Sequence, residues 1–230
     1  MIAAIILASG SGERFKKNIP KQFIKLAGMP VLAHSIKVFQ TSLDIAEIVV
    51  VCHESFIDQV WHLVAQYSLS KVVKVVCGGE TRQASSRIGI ECCKNAEYVL
   101  IHDGVRPLVT ERIIRDIVDS VKIHKAVNTV IPSVDTIVAV DPDGFIKEIP
   151  DRSFLRRVQT PQAFEYNLIK RAHEKAIIEG IEDATDDCSL VLRLGHSVYA
   201  IAGDEQNMKI TYPLDLHIAD RLIQLRNHSD

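Results

Sequence analysis

Several features that mark other protein classes are missing from this sequence of 230 residues. The five cysteines form no Cys-x-x-Cys pair, which excludes zinc-ligand spacing and a disulfide framework and favours reduced, mostly buried thiols. Lys and Arg number 27 against 29 Asp and Glu, so there is no basic excess for bulk binding of nucleic acid. No apolar run approaches the roughly 20 residues of a membrane span. We therefore expect neither a nucleic-acid nor a membrane partner.

The length and the start of the chain suggest a globular protein of the cytoplasm. A hydrophobic fraction of 47% is ordinary for a folded domain, and the length suits one α/β domain, which we take as residues 1–230. The apolar residues Met1–Leu7 have no basic leader and run directly into a glycine loop. They are expected to form a first strand rather than a signal peptide, which makes a cytoplasmic location the expectation.

Short apolar runs alternate with segments of helical periodicity over the first 131 residues. The runs are rich in Val and Ile and do not alternate with polar residues, which is typical of parallel strands covered on both faces. This order predicts an α/β fold with a Rossmann-like, doubly wound, mostly parallel sheet. The predicted strands are Ile2–Ala8, Ala46–His53, Val72–Cys77, Tyr98–His102 and Val127–Ile131. The predicted helices are Val31–Gln40, Phe56–Tyr67, Gln83–Lys94 and Thr110–His124, the last with Thr110 as its cap.

The alternation stops after Ile131, where the sequence predicts a β-hairpin. Thr136–Val140 and Phe145–Ile149 flank the turn sequence Asp-Pro-Asp-Gly. We take residues 133–163 as a protruding β-hairpin arm, which either embellishes the domain or joins two subunits. The remaining predicted elements are helices near Glu165–Glu179 and Asp186–Leu194, a strand at Ser197–Ala202 and a last helix from Pro213 to about Leu225.

A glycine loop follows the first predicted strand, with Gly10 and Gly12 among small residues that let backbone N–H groups approach a phosphate. Phe15 occupies the position of the third glycine of a dinucleotide fingerprint, and no Gly-Lys-Ser/Thr follows for a Walker A loop. Four cations close to the loop suit a triphosphate, because each neutralises charge on phosphate oxygens. These cations are Arg14, Lys16, Lys17 and Lys21.

Two further clusters follow the fourth and the third predicted strands. Asp103 follows the strand that ends at His102, and a carboxylate at that edge is well placed to hold Mg²⁺. Arg106 either binds a phosphate or braces the loop, and His102 is expected to be a packed strand residue. The segment Gly78–Arg82 offers a flexible backbone and polar groups for reading the edge of a base.

Together these clusters resemble the 2-C-methyl-D-erythritol 4-phosphate cytidylyltransferase family and its close relatives that make CDP-ribitol. The similarity covers nearly the whole chain and runs through motifs in the family's order. The motifs are the glycine loop with Arg14, Pro20-Lys21-Gln22, Gly78-Gly79-Glu80-Thr81-Arg82, His102-Asp103-Gly104-Val105-Arg106-Pro107, Gln159-Thr160-Pro161-Gln162, Thr185-Asp186-Asp187 and Lys209-Ile210-Thr211.

The resemblance implies that the predicted sheet is of the nucleotidyltransferase type. It also implies a CTP-dependent enzyme that uses Mg²⁺ and transfers CMP to a small polyol phosphate, releasing pyrophosphate. It implies catalytic roles for Arg14 and Lys21, which would grip the triphosphate, and for Lys209, which would stabilise the reacting α-phosphate. The implied nucleotide-binding residues are Ala8, Ser9, Gly10, Gly12, Gly79, Glu80, Ser85, Asp103 and Gly104, with Asp103 also the metal ligand. The family more often has other residues at Ser9, Glu80 and Gly104, but none of these differences removes a charge.

The implied acceptor site is shared between two subunits. Arg152 and Thr160 would reach in from the arm of a partner in a homodimer, while Thr185 would bind the same phosphate, together with Arg106 if it contacts phosphate. Asp151-Arg152-Ser153 looks like the enzyme that uses methylerythritol phosphate, which we place first. Leu155-Arg156-Arg157 and Asn207-Met208-Lys209 look like the enzymes that use D-ribitol 5-phosphate, which is the alternative acceptor.

The nucleophile of such a reaction needs no general base. It is a phosphate oxygen that is already ionised at pH 7, because its second pKa is about 6. The sequence shows no convincing Ser-His-Asp or Cys-His arrangement. Three other classes compete: a hexose 1-phosphate pyrophosphorylase, which is normally longer; a nicotinamide oxidoreductase, which needs the third glycine; and a non-catalytic scaffold. A scaffold is expected to have lost some of Arg14, Lys21, Asp103 and Lys209.

Overall fold

The structure is a computed structural model that describes residues 1–10 and 20–227. Within these residues the strands are β1 (Ile2–Ala8), β2 (Lys25–Leu26), β3 (Met29–Pro30), β4 (Glu47–Cys52), β5 (Val72–Cys77), β6 (Tyr98–Asp103), β7 (Ala126–Pro132), β8 (Ala139–Val140), β9 (Ile146–Glu148), β10 (Arg156–Glu165) and β11 (Tyr199–Ala202). The helices are α1 (Val31–Thr41), α2 (Ile57–Gln66), α3 (Arg82–Glu91), α4 (Glu111–His124), α5 (Tyr166–Ile178), α6 (Asp187–Arg193) and α7 (Pro213–Asn227). None of these helices combines the length and the apolar character that a membrane crossing requires.

The main sheet has the strand order β11-β7-β10-β6-β1-β4-β5. Its central strand β1 is parallel to both β4 and β6, and every residue of β1 is buried. Alternate residues of β1 enter separate cores on the two faces, with Ala4 and Ile6 on one side and Ala3, Ile5 and Leu7 on the other. Burial on both faces explains the unbroken apolar run of this strand. The predicted doubly wound α/β fold is confirmed.

The longest strand, β10, was not predicted. It lies between β6 and β7 and is antiparallel to both, so the sheet is mixed rather than uniformly parallel. Its polar residues Gln159, Thr160 and Gln162 are buried, and their side chains make hydrogen bonds with neighbouring segments. A polar strand interior of this kind carries no apolar signal in the sequence.

The hairpin forms with shorter strands than predicted. Strands β8 and β9 pair antiparallel, and Asp141 Oδ1 accepts hydrogen bonds from the N–H groups of Asp143 and Phe145 in the turn. The predicted arm, residues 133–163, extends too far, because β10 begins at Arg156 and belongs to the main sheet. We call residues 133–155 the arm segment from here on. Its proposed role between subunits stays a prediction.

Helix α3 approaches β1 and β4 closely at Gly89. A Cβ at this position would overlap Ile5 Cγ2 and lie 3.1 Å from Val51 Cγ2. We expect Gly89→Ala to lower the free energy of unfolding by about 1–2 kcal/mol, since overpacking outweighs the gain of about 1 kcal/mol in helix propensity. Urea denaturation measures the change, and an unaltered midpoint would show that the steric cost at Ile5 is no larger than the gain in helix propensity.

Candidate active site

The carboxyl ends of β1 and β6 meet at the edge of the sheet where the chain reverses its direction of winding. Leu7 pairs with Asp103, and the N–H of Gly104 donates to the carbonyl of Leu7 at 2.8 Å. A Cβ on Gly104 would lie 2.9 Å from Leu32 Cδ1 and 3.1 Å from the Leu7 oxygen. Glycine therefore lets these chain segments pack closely here. Ligands of open α/β sheets bind at this edge.

Asp103 is the centre of a charge cluster at this edge, and only 7% of the residue is exposed. Lys209 Nζ lies 2.9 Å from Oδ2, Arg106 Nε lies 3.6 Å from Oδ2, and Arg82 Nε lies 3.6 Å from Oδ1. Burial alone raises the pKa of Asp103, but the cations Lys209, Arg82 and Arg106 together hold that pKa below its usual range. The carboxylate is therefore ionised at neutral pH.

Thr160 and His102 fix the backbone at Asp103. The Thr160 hydroxyl accepts from the Asp103 N–H at 3.0 Å and lies 3.0 Å from His102 Nδ1, while His102 Nε2 lies 3.2 Å from the carbonyl of Arg106. Burial lowers the pKa of His102 to about 4, so the ring is neutral at pH 7. A neutral ring that donates from Nε2 to Arg106 accepts from Thr160 through Nδ1.

These contacts correct the expected placement of Thr160. The residue is buried in β10 within the main sheet of its own chain and does not lie in the arm segment. Its hydroxyl is engaged by β6, since both His102 and Asp103 belong to that strand. The described role of Thr160 is to hold the Asp103 backbone, and a contact with the acceptor stays a prediction.

Arg106 braces two segments around the cluster. Its guanidinium is buried and donates to the carbonyl of Asn207 at 2.8 Å and to that of Val158 at 3.4 Å. Asn207 is two residues before Lys209, so Arg106 fixes the chain that presents the Lys209 ammonium. Of the two roles expected for Arg106, the geometry matches bracing of the loop.

The glycine-rich segments after β1 and β5 are held together by short side chains. Ser9 Oγ lies 2.8 Å from Ser85 Oγ, and Ser85 Oγ donates to the carbonyl of Gly79 at 3.3 Å. A Cβ on Gly78 would lie only 2.6 Å from Ser9 Cβ, so glycine is required for this approach. Ser85 has no exposed surface, and its hydroxyl is engaged within the protein. Its contact with a base stays a prediction.

The first loop is partly supported by Gln22. Its buried amide donates to the carbonyl of Ala8 at 3.0 Å and to that of Gly10 at 3.5 Å. Lys21 starts the adjoining 3-10 turn and is half-buried. Glu80 is exposed just before the cap of α3. The predicted residues Gly12 and Arg14 lie outside the described residues, as do Lys16 and Lys17.

The predicted acceptor residues Thr185 and Arg152 are not among the side chains that contact Asp103. Thr185 is exposed immediately before Asp186, which caps α6. Arg152 is exposed in the arm segment, donates to the carbonyl of Val134 at 2.9 Å and lines a cavity of about 660 Å³. The structure therefore shows the cluster around Asp103 in one chain and leaves these two predictions open.

The sequence motifs did not assign a role to Arg82. Its position in Gly78–Arg82 marked the segment, but only the fold brings its guanidinium within reach of Asp103. Gln22 and Asn207 were likewise given no role, although both are buried and hydrogen-bonded at the edge. The available signal for all three was their place within the family-like segments of the sequence.

A metal at this edge must share its ligands with the substrate. Within residues 1–10 and 20–227 there is no group of three or more His, Cys, Asp or Glu side chains that could hold an ion. Mg²⁺ commonly binds through one or two carboxylates and substrate phosphates and keeps several waters. One ionised carboxylate beside cations fits an ion that arrives with a triphosphate, and it does not fit a permanently bound metal.

A doubly wound sheet with an ionised carboxylate and cations at its switch point suits an enzyme that binds a nucleotide and stabilises charge on its phosphates, as a nucleotidyltransferase does. Residues 2–225 match the sequence profile of 2-C-methyl-D-erythritol 4-phosphate cytidylyltransferase. The chain belongs to this family, and it is therefore a cytidylyltransferase enzyme.

Individual relatives agree with the family assignment. The 2-C-methyl-D-erythritol 4-phosphate cytidylyltransferase of Clostridium novyi is 41% identical over 96% of this chain and 96% of its own length. A ribitol-5-phosphate cytidylyltransferase of Vibrio parahaemolyticus is 37% identical over 99% of this chain and 98% of its own. The crystal structure of 4-diphosphocytidyl-2C-methyl-D-erythritol synthase from Anaerococcus prevotii has a TM-score of 0.85 and 30% identity, covering 97% of this chain and 96% of that one.

These similarities confirm the predicted cytidylyltransferase activity. Methylerythritol phosphate is the acceptor that the family and most of these relatives carry in their names, which makes the ribitol phosphate alternative the weaker one.

Proposed function

We propose that the edge around Asp103 binds CTP together with Mg²⁺ and transfers CMP to 2-C-methyl-D-erythritol 4-phosphate. The observation that carries this proposal is the buried, ionised carboxylate of Asp103 at the carboxyl end of β6, surrounded by Lys209, Arg82 and Arg106. The product would be CDP-methylerythritol, an intermediate of isoprenoid precursor synthesis. CTP and Mg²⁺ are both available in the cytoplasm, which is where we propose that the protein acts.

Asp103 is the described carboxylate that would hold the metal. When bound, Mg²⁺ would neutralise charge on the phosphate oxygens of CTP. The segments around Ala8 to Gly10 and around Gly79 and Glu80 would line the nucleotide, with Gly104 beside the ribose. Gln22 supports the first of these segments through its contacts with Ala8 and Gly10.

The transfer itself is an in-line displacement at the α-phosphorus. An ionised phosphate oxygen of the acceptor forms the new O–P bond, and the bond from the α-phosphorus to the bridging oxygen of the leaving pyrophosphate breaks. The chain's part is to align the two phosphates and to absorb the charge that moves to pyrophosphate. Lys209, Lys21 and Arg14 would supply that positive charge. Lys209 is suited to the role because its side chain is 40% exposed beside Asp103.

The acceptor would bind between two subunits of a homodimer, with Thr185 from one chain and Arg152 from the other. The arm segment supports this arrangement, because it exposes many large apolar side chains within 21 residues. They are Val134, Ile137, Val138, Val140, Phe145, Ile146, Ile149 and Phe154. A concentration of exposed large apolar side chains in one short segment is typical of a protein–protein contact. A second copy of the chain would cover it and bring Arg152 to the neighbouring edge.

The choice of acceptor is tested by pyrophosphate release with CTP and Mg²⁺. We expect kcat/KM for methylerythritol 4-phosphate to exceed that for D-ribitol 5-phosphate at least about 100-fold, or about 2.7 kcal/mol in transition-state binding. Omitting each acceptor in turn controls for CTP hydrolysis. The reverse ratio would assign the protein to CDP-ribitol synthesis, and silence with both acceptors despite CTP binding would favour a scaffold.

A further inference from the structure

Arg82, the first residue of α3, lies between two carboxylates. Its Nη1 donates to Asp187 Oδ2 at 2.7 Å, while its Nε lies 3.6 Å from Asp103 Oδ1. Asp187 lies at the start of α6, and Asp103 ends β6 at the candidate active site. The guanidinium therefore connects a carboxylate of the core with the carboxylate proposed to hold the metal and nucleotide.

The Asp187 end of this connection is fixed. Its side chain has no exposed surface, and Oδ1 accepts from Ser86 Oγ at 2.6 Å and from His173 Nε2 at 3.0 Å. The backbone N–H of Asp187 donates to Gln162 Oε1 at 3.3 Å. A fully buried carboxylate held from so many directions cannot turn freely. The orientation of Arg82 is therefore set by the packing of α3, α5 and α6.

The two oxygens of Asp103 differ in whether a movable cation contacts them. Oδ2 lies 3.6 Å from Nε of the buried Arg106, but its close partner at 2.9 Å is Lys209, whose flexible side chain is 40% exposed and can move to a ligand. Oδ1 faces Arg82, whose side chain is 24% exposed and is tied to Asp187. Arrival of a nucleotide can therefore displace Lys209 from Oδ2, while Arg82 stays at Oδ1.

We propose that Arg82 is a positioning residue that holds Oδ1 of Asp103 and so leaves Oδ2 as the oxygen offered to the metal–nucleotide complex. The inference rests on the proposed function of Asp103. Arginine suits this role because its planar group presents donors in more than one direction. A lysine ammonium would be drawn to the fully buried Asp187 and would have no second group directed at Asp103.

The test is calorimetric titration of CTP into the protein, with Mg²⁺ and separately with EDTA. In Arg82→Lys the positive charge is kept, so we expect the metal-free affinity for CTP to stay within about threefold of wild type. We expect the additional affinity conferred by Mg²⁺ to fall at least about tenfold, as for other residues that orient a metal ligand. A purely structural role would instead weaken both affinities together and lower the melting temperature.

Three variants make the result interpretable. Asp103→Asn should lose the Mg²⁺-dependent affinity completely, and Asp187→Asn, which loosens the anchor but keeps Arg82, should show a smaller loss than Arg82→Lys. Gly89→Ala crowds Ile5 and Val51 in the core, away from Asp103, and should lower the melting temperature without changing the Mg²⁺ effect. Retention of the full Mg²⁺ effect in Arg82→Lys, with loss in Asp103→Asn, would overturn the inference alone. Retention in Asp103→Asn would overturn the proposed metal role of Asp103 as well.

Discussion

Replacement of Asp103 by asparagine is expected to lower kcat/KM about 10²- to 10³-fold, the range found when a single electrostatic group of an active site is removed. Asparagine keeps the shape of the side chain but removes the charge that holds the metal. It also releases Lys209, whose ammonium lies 2.9 Å from Asp103 Oδ2. The loss should include a higher KM for CTP, because Asp103 would hold the Mg²⁺–nucleotide, whereas the KM for the acceptor should change little because other residues bind it.

The same substitution also affects folding. Arg106 has a buried Nε with no hydrogen-bond partner in the described residues, and its nearest counter-charge is Asp103. Removing one partner of a buried pair costs about 3–5 kcal/mol in other proteins, and the cost should be smaller here because Lys209 can turn to water. Activity must therefore be measured well below the melting temperature of the variant.

Gly89→Ala is a suitable control for this experiment, because it destabilises the protein away from the edge. Its steric contacts are with Ile5 and Val51 inside the core. We expect that variant to keep its kcat/KM within about twofold at a temperature where it is folded. If Asp103→Asn, shown by circular dichroism to be folded, were as active as Gly89→Ala, Asp103 would have no role in the chemistry.

The apolar strands were predictable from the sequence because their runs of apolar side chains both identify them as strands and cause their burial. β1, β4 and β6 are continuous apolar runs, and each is covered on both faces. β10 is different, because its buried polar side chains are satisfied only by partners far along the chain. Gln162 contacts Asn128 and Asp186, and such a pairing leaves no periodic pattern in the sequence.

The site residues also divide into those that the local sequence places at the edge and those that only tertiary contacts bring there. Asp103 and the glycine segments follow strand ends, so their common edge was predictable from the order of elements. Of the partners of Asp103, Arg106 follows three residues later in the same motif, whereas Arg82 and Lys209 come from distant parts of the chain that no spacing rule relates to Asp103. The bracing role of Arg106 and the anchor of Arg82 depend on tertiary contacts with Asn207 and Asp187.

The second large predicted effect concerns an acceptor site that is built from residues of two chains, with Arg152 of the arm segment among them. Arg152→Ala and Lys21→Ala are each expected to lower kcat about 10²-fold or more as homodimers. If Arg152 acts on the partner's site, a purified heterodimer of the two variants contains one intact site. It should therefore recover about half of the wild-type kcat per dimer. Two different affinity tags allow the heterodimer to be isolated and assayed for pyrophosphate release.

A second heterodimer, with both substitutions in the same subunit, distinguishes shared from separate sites. When one subunit carries both Arg152→Ala and Lys21→Ala and the other is wild type, shared sites each contain one lesion and the dimer should be nearly inactive. Separate sites would give the opposite results. The heterodimer with both substitutions in one subunit would keep about half of the activity, and the heterodimer with one substitution in each subunit would keep little. A shared site would explain why the apolar side chains of the arm segment are exposed in a single chain, because the surface that covers them would also complete the acceptor site.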